Sequence, residues 1–210
     1  MDYDSMPMDE VNTTSGSLKT AGLWERHVMA VEDVTRRLNR VTAALNAADV
    51  PYAVVGGQAV ALWVAKRDRD AVRITKDVDI LLRREDLPAA RRAMRSTGMD
   101  YFEVVGVGMF LERDDPHPRR GVHLIWAGEK VRPHYALPAP TIDQRQTIDR
   151  DISVVQLEQL IRMKLVSYRD QDRVHLRDMI EVGLIDRDLL SGMPPELAER
   201  FEVLLGEAGR

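Results

Sequence analysis

Two glycines and, twenty residues on, two alternating aspartates constrain this chain more than any other feature of it. Tyr52, Ala53, Val54 and Val55 make a short apolar run that ends on Gly56 and Gly57. An apolar stretch with helical spacing follows from Gln58 to Ala65, with Ala59, Leu62 and Trp63 on its inner side. A second strand-like run then spans Asp77 to Leu82. Side chains two apart on a strand share a face, so Asp77, Asp79 and Leu81 point one way and Val78, Ile80 and Leu82 the other. The spacing therefore predicts a strand, a tight turn, a short helix and a second strand.

Each part of that unit has a chemical use. Glycine lets backbone approach a phosphate closely, and the free N–H groups of the helix it opens favour an anion. Two carboxylates on one strand face supply hard oxygen ligands for Mg²⁺, which keeps waters and substrate phosphates as the rest of its shell. Taken alone, a Gly-Gly pair is a tight turn and an Asp-x-Asp is a half-exposed strand with solvated carboxylates. The two together, in this order, point to metal-assisted transfer of a nucleotide.

The flanking sequence supplies the frame. Trp24, Val28, Val31, Val34, Leu38, Val41 and Leu45 recur at steps of three and four, which predicts an amphipathic helix closed by Asn46 to Pro51. Lys66 to Lys76 reads as a basic loop diluted by Asp68 and Asp70. Leu87, Ala90 and Met94 line a further helix, with Asp86 expected to cap it and Gly98 to end it. Two strands are expected around Gly106 and another from Gly121 to Trp126. Pro and Thr then mark an extended connection. Ser153 and Gln156 have the spacing of a capping box before a helix holding Leu157, Leu160, Ile161, Lys164, Leu165 and Tyr168. Two more helices follow, one with Leu176, Met179 and Ile180, the other opened by Pro194 and Pro195. The expected organisation is a flexible tail over 1–20, a core over 21–132, an extended connection over 133–152 and a C-terminal helical subdomain over 153–210. The fold class is α/β (α+β): a mixed sheet with helices on one face, followed by a helical layer.

Composition limits the alternatives. With 210 residues the chain suffices for one domain plus a helical appendage. A net charge of −4 argues against a polycation built for nucleic acid, although a local basic patch is compatible with it. The absence of cysteine rules out disulfides, thiolate zinc sites and cysteine nucleophiles, and fits a reducing cytoplasm. No apolar stretch approaches the roughly 20 residues of a membrane span, so no membrane partner is expected. Gly106 and Gly108 lack the third glycine of a dinucleotide fingerprint. The sequence holds no GxxxxGK[ST] loop, no HExxH and no GxSxG elbow. His117, His123 and His134 lack zinc spacing and read mostly as solvated.

The stretch from Tyr52 to Leu82 resembles the core motif of the nucleotidyltransferase superfamily with a DNA-polymerase-beta-like fold. Arg73, Thr75, Asp77 and Asp79, in the pattern Arg-x-Thr-x-Asp-x-Asp, are similar more narrowly to the nucleotidyltransferase toxins of type IV toxin–antitoxin systems. Lys164 on its helix, followed by Arg169, Asp172 and Asp178, resembles the C-terminal signature of that group. The resemblance implies that Gly56 and Gly57 cradle nucleotide phosphates, that Asp77 and Asp79 bind Mg²⁺, and that Lys164 faces the triphosphate. It also implies that Thr75 and Arg73 lie close enough to contact phosphate, although Arg73 reads equally as part of a solvated loop. Active members carry a third carboxylate on a later strand. Here the corresponding strand offers His123, a poor Mg²⁺ ligand but a serviceable base near neutral pH. Glu129 just beyond it, and Glu103 on an earlier strand, are the other candidates.

Two readings follow. The chain is an enzyme moving a nucleotidyl group from an NTP to a hydroxyl on an RNA 3′ end, a protein side chain or a small molecule. On the resemblance, its partner is a cognate antitoxin. Alternatively it is a binding or regulatory module that lacks the third carboxylate. What occupies the third-carboxylate site discriminates between them.

Overall fold

A computed structural model of the chain describes residues 14–73, 75–148, 151–190 and 192–208. Its framework is a seven-stranded mixed sheet with strand order β3-β4-β5-β2-β1-β7-β6. The strands are β1 (Ala53–Val55), β2 (Val78–Leu82), β3 (Met99–Val104), β4 (Val107–Glu112), β5 (Val122–Trp126), β6 (Arg145–Thr147) and β7 (Ser153–Val155). The helices are α1 (Thr14–Ala47), α2 (Gly56–Arg67), α3 (Leu87–Ser96), α4 (Leu157–Ser167), α5 (Asp170–Glu181) and α6 (Pro195–Ala208). This is the expected α/β architecture.

Register positions the chemistry. β1 runs antiparallel to β2 with Val55 opposite Asp79. β2 runs parallel to β5 with Asp79 opposite His123. The turn that begins at Gly56 therefore starts beside Asp79, and His123 flanks it from the other side. The central strands are apolar because they are covered: Val54, Ile80, Leu81 and Val154 are each at most 1% exposed.

α1 packs through Val34, Leu38, Val41 and Leu45, all buried, at the predicted helical spacing. Val28, expected on the same stripe, is 39% exposed, so the apolar seam starts a turn later than its periodicity suggests. The side chain of Trp24 lies outside the described residues. α1 begins at Thr14, inside the stretch expected to be a tail. Leu18, Lys19 and Ala21 are good helix formers by intrinsic propensity. The remainder of that stretch, 1–13, lies outside the described residues.

Two expectations at helix starts are corrected, and the sheet extends into the expected connection. Ser153 belongs to β7 rather than to a capping box, and α4 starts after Gln156 with no side-chain cap. Val154 and Val155 are β-branched and fully buried, and they complete the sheet beside β1. The connection over 133–152 contains β6, which pairs with β7, so the sheet runs across the boundary placed at 153. Asp86 occupies the cap position of α3, but its carboxylate accepts from Arg83 instead.

Two tethers join the layers. Trp63 Nε1 donates to the Val155 carbonyl at 3.1 Å, tying α2 to β7. Tyr168 closes α4 in the left-handed region and its hydroxyl donates to the Arg200 carbonyl of α6 at 3.2 Å. Among the described residues no helix is long and apolar enough to cross a membrane.

Candidate nucleotide and metal site

Gly56 has φ +67°, and a Cβ placed on it would lie 2.0 Å from Asp79 Oδ2. Only glycine suits both the backbone and the space. A Cβ on Gly57 would lie 2.5 Å from Thr75 Oγ1. The turn is thus pressed against the two residues that flank Asp77. Gln58 Nε2 donates to the Thr75 carbonyl at 3.2 Å and holds that approach in place. Val55 gives α2 no side-chain cap, so the first N–H groups of the helix have no intrahelical partner. Such a terminus favours an anion.

These groups open into one cavity of about 670 Å³. Gly56, Gly57, Thr75, Asp77, Asp79, His123 and Lys164 all line it. Arg73, Glu103 and Glu129 do not line it. Arg73 donates to Asp178 of α5 at 2.7 Å and straps the segment before β2 to the helical layer. Glu129 is held by Arg84 through two hydrogen bonds of 2.6 and 2.9 Å. Glu103, on the other side of β5, accepts from the Tyr101 hydroxyl.

Of His123, Glu103 and Glu129, the three candidates for a third group beside the aspartates, only His123 lines the cavity. Its Nδ1 lies 3.4 Å from Asp79 Oδ1, and its Nε2 lies 3.3 Å from the Pro118 carbonyl. The Asp79 contact raises the imidazole pKa above its ordinary value, against the opposing effect of burial. Asp77 is exposed and has no ion pair or hydrogen bond among the described residues. Among those residues no group of three or more His, Asp or Glu side chains is arranged to hold a metal ion. Two carboxylates lining a cavity beside an uncapped helix N-terminus nevertheless fit Mg²⁺, which takes one or two protein carboxylates and completes its shell with waters and phosphate oxygens.

Lys164 is buried, and its Nζ donates to Asp172 Oδ1 at 2.9 Å. Asp172 Oδ2 accepts from Ser167 Oγ at 2.8 Å and from Arg169 Nε at 2.9 Å. Burial pushes the Asp172 carboxyl upward, but the Lys164 charge and the hydrogen bonds from Arg169, Lys164 and Ser167 bring it down to about 2. Lys164, Ser167, Arg169 and Asp172 thus form one network around the buried Asp172 carboxylate that fixes the lysine at the cavity wall, whereas Asp178 pairs with Arg73.

Two contributions were not legible in the sequence. His175 of α5 also lines the cavity and is buried, its Nδ1 without a hydrogen-bond partner. Burial, and then the Lys164 charge, lower its pKa to about 4. The third wall is the segment 128–141, which contributes Arg132, Tyr135 and Leu137. Its only sequence signal is the Pro-rich composition that reads as a plain connection.

Solved structures share the fold that carries these residues. An antigenic nucleotidyltransferase-like protein from Paracoccidioides brasiliensis superposes with a TM-score of 0.53 at 16% identity, over 84% of this chain and 88% of that one. This chain shares its fold with that protein. Weaker likenesses are found to the antibiotic-resistance factor ANT(2″)-Ia (TM-score 0.44, 15% identity, 83% of this chain and 85% of that one). Another is the Megavirus polyadenylate synthase (TM-score 0.39, 10% identity, 86% of this chain and 33% of that one). No family model and no curated protein matches the sequence.

Proposed function

We propose that this protein is a Mg²⁺-dependent nucleotidyltransferase. The observation that carries the reading is the convergence of Gly56, Gly57, Asp77, Asp79, His123 and Lys164 on one cavity. The nucleotidyltransferase-like fold, which brings these elements together, supports it.

Gly57 and the start of α2 receive the nucleotide phosphates through backbone N–H groups. Asp77 and Asp79 hold Mg²⁺, which when bound neutralises phosphate charge and stabilises the departing pyrophosphate. Lys164, fixed by Asp172, faces the triphosphate. The acceptor hydroxyl oxygen attacks the α-phosphorus and the bond to the pyrophosphate oxygen breaks. The hydroxyl proton passes to Nδ1 of His123, whose Nε2 is oriented by the Pro118 carbonyl. The acceptor is a hydroxyl on an RNA 3′ end, a protein side chain or a small molecule. Lys164, Arg169 and Asp172 meet in one network, which supports the likeness to type IV toxins and, with it, a cognate antitoxin as partner.

A second reading, a module that binds nucleotide without transferring it, is favoured by one observation: a histidine stands where a third carboxylate is expected. Incubating the protein with each of four radiolabelled NTPs, total RNA and cell lysate separates the two. The enzyme reading expects a Mg²⁺-dependent labelled product, lost in Asp79→Ala. Nucleotide binding with no product from any NTP establishes the second reading.

A further inference from the structure

A cleft away from the nucleotide cavity gathers four arginines between α1, the end of β4 and the turn that ends at Arg120. It has a volume of about 210 Å³. Three of the arginines have carboxylates of their own. Arg36 donates to Asp33 at 2.5 Å, Arg40 donates to Glu112, and Arg120 donates to Asp115 at 2.6 Å. Arg37 has no such partner among the described residues. It is only 7% exposed, and its Nε is buried without a hydrogen bond. The buried Nε of Arg40 also lacks a partner.

An arginine stays charged in a protein, and burying a charge without a partner is costly. Four guanidiniums against three carboxylates leave this cleft with one positive charge. Glu112 and Asp33 offset the burial of Arg37 at a distance, while Arg40 and Arg120 add to its cost. Guanidinium forks match the oxygens of a phosphate, and one such anion accepts from several of them at once. The cleft is smaller than the roughly 300 Å³ at which ordinary small-molecule pockets begin, which suits a single phosphoryl group rather than a whole nucleotide.

We propose that this cleft is a phosphate-binding site in which Arg37 is the central donor and Arg36, Arg40 and Arg120 surround the oxyanion. The phosphate is free, or it is the terminal group of a larger molecule. The site is separate from the nucleotide cavity, so its failure leaves the proposed function standing.

The test is a titration of the ¹⁵N-labelled full chain, free of divalent metal, followed by backbone amide shifts. One arm uses inorganic phosphate and the other ribose 5-phosphate. Saturable shifts are expected over 36–40 and 115–120, distinct from any at Gly57 or Lys164 that report phosphate entering the main cavity. Tighter binding of ribose 5-phosphate identifies a carried phosphate, and equal or weaker binding a free one. Arg37→Gln weakens the shifts by about tenfold or more. Arg120→Gln, at an exposed position, provides a second variant that keeps the fold. Absence of saturable shifts over 36–40 and 115–120, or equal affinity in both variants, overturns the proposal.

Discussion

At the scale of single residues the site depends on close approach. Gly56 combines a left-handed backbone with a neighbour that leaves no room for a side chain. Gly56→Ala is expected to cost about 1–3 kcal/mol of stability. It also displaces the Asp79 carboxylate, so urea unfolding and Mg²⁺–NTP affinity should both fall. His123 has a different signature. In the proposed mechanism it receives a proton during transfer and is not needed to hold the nucleotide. His123→Ala should therefore lower kcat on the order of 10²–10⁴-fold while changing NTP affinity little. Single-turnover kinetics beside equilibrium binding check this, and an equal loss in both would remove His123 from the chemistry.

At the scale of elements, the Lys164–Asp172 pair links α4 to α5 with side chains 7% and 1% exposed. Removing one partner of such a pair leaves an uncompensated buried charge. Asp172→Ala should destabilise the protein by about 3–5 kcal/mol in denaturant unfolding, and Lys164→Met combined with Asp172→Leu by much less. The Arg73–Asp178 strap differs in that Arg73 is 61% exposed while Asp178 is buried; Arg73→Gln should lower stability by less than Asp172→Ala in the same unfolding measurement. These elements were unequally legible in the sequence. β1, α2 and β2 could be read because apolar alternation and helical spacing change over at two glycines. β6 and β7 are three residues each, too short for a period to show, and their pairing depends on contacts far along the chain. Ser153 and Gln156 accordingly read as the start of a helix. The site was legible as residue types, but not as partnerships. That Asp172 buries Lys164, or that Arg84 takes Glu129 out of play, is decided by packing between elements that no local pattern records.

At the scale of the whole molecule, acid is the condition that tests the helical layer. Lys164 from α4, Asp172 and Asp178 from α5, and Arg73 from the segment before β2 surround His175. The folded state keeps that imidazole neutral down to about pH 4, whereas the unfolded chain takes up a proton near 6.5. The unfolded state thus binds more protons in this window, and stability falls as the pH drops from about 6.5 to 4, by at most about 3 kcal/mol. Asp172 adds a further loss as the pH falls from 3.8 towards 2. Urea unfolding at pH 7 and pH 4.5 should show the first decline, and His175→Gln should flatten it. The central claim, that one cavity between sheet and helical layer holds a metal-bound nucleotide, is tested most directly by calorimetric titration of an NTP with and without Mg²⁺. Saturable binding that requires Mg²⁺ and is lost in Asp77→Ala and Asp79→Ala is expected. Absence of binding by any of the four NTPs in the presence of Mg²⁺, in a folded protein, would contradict it.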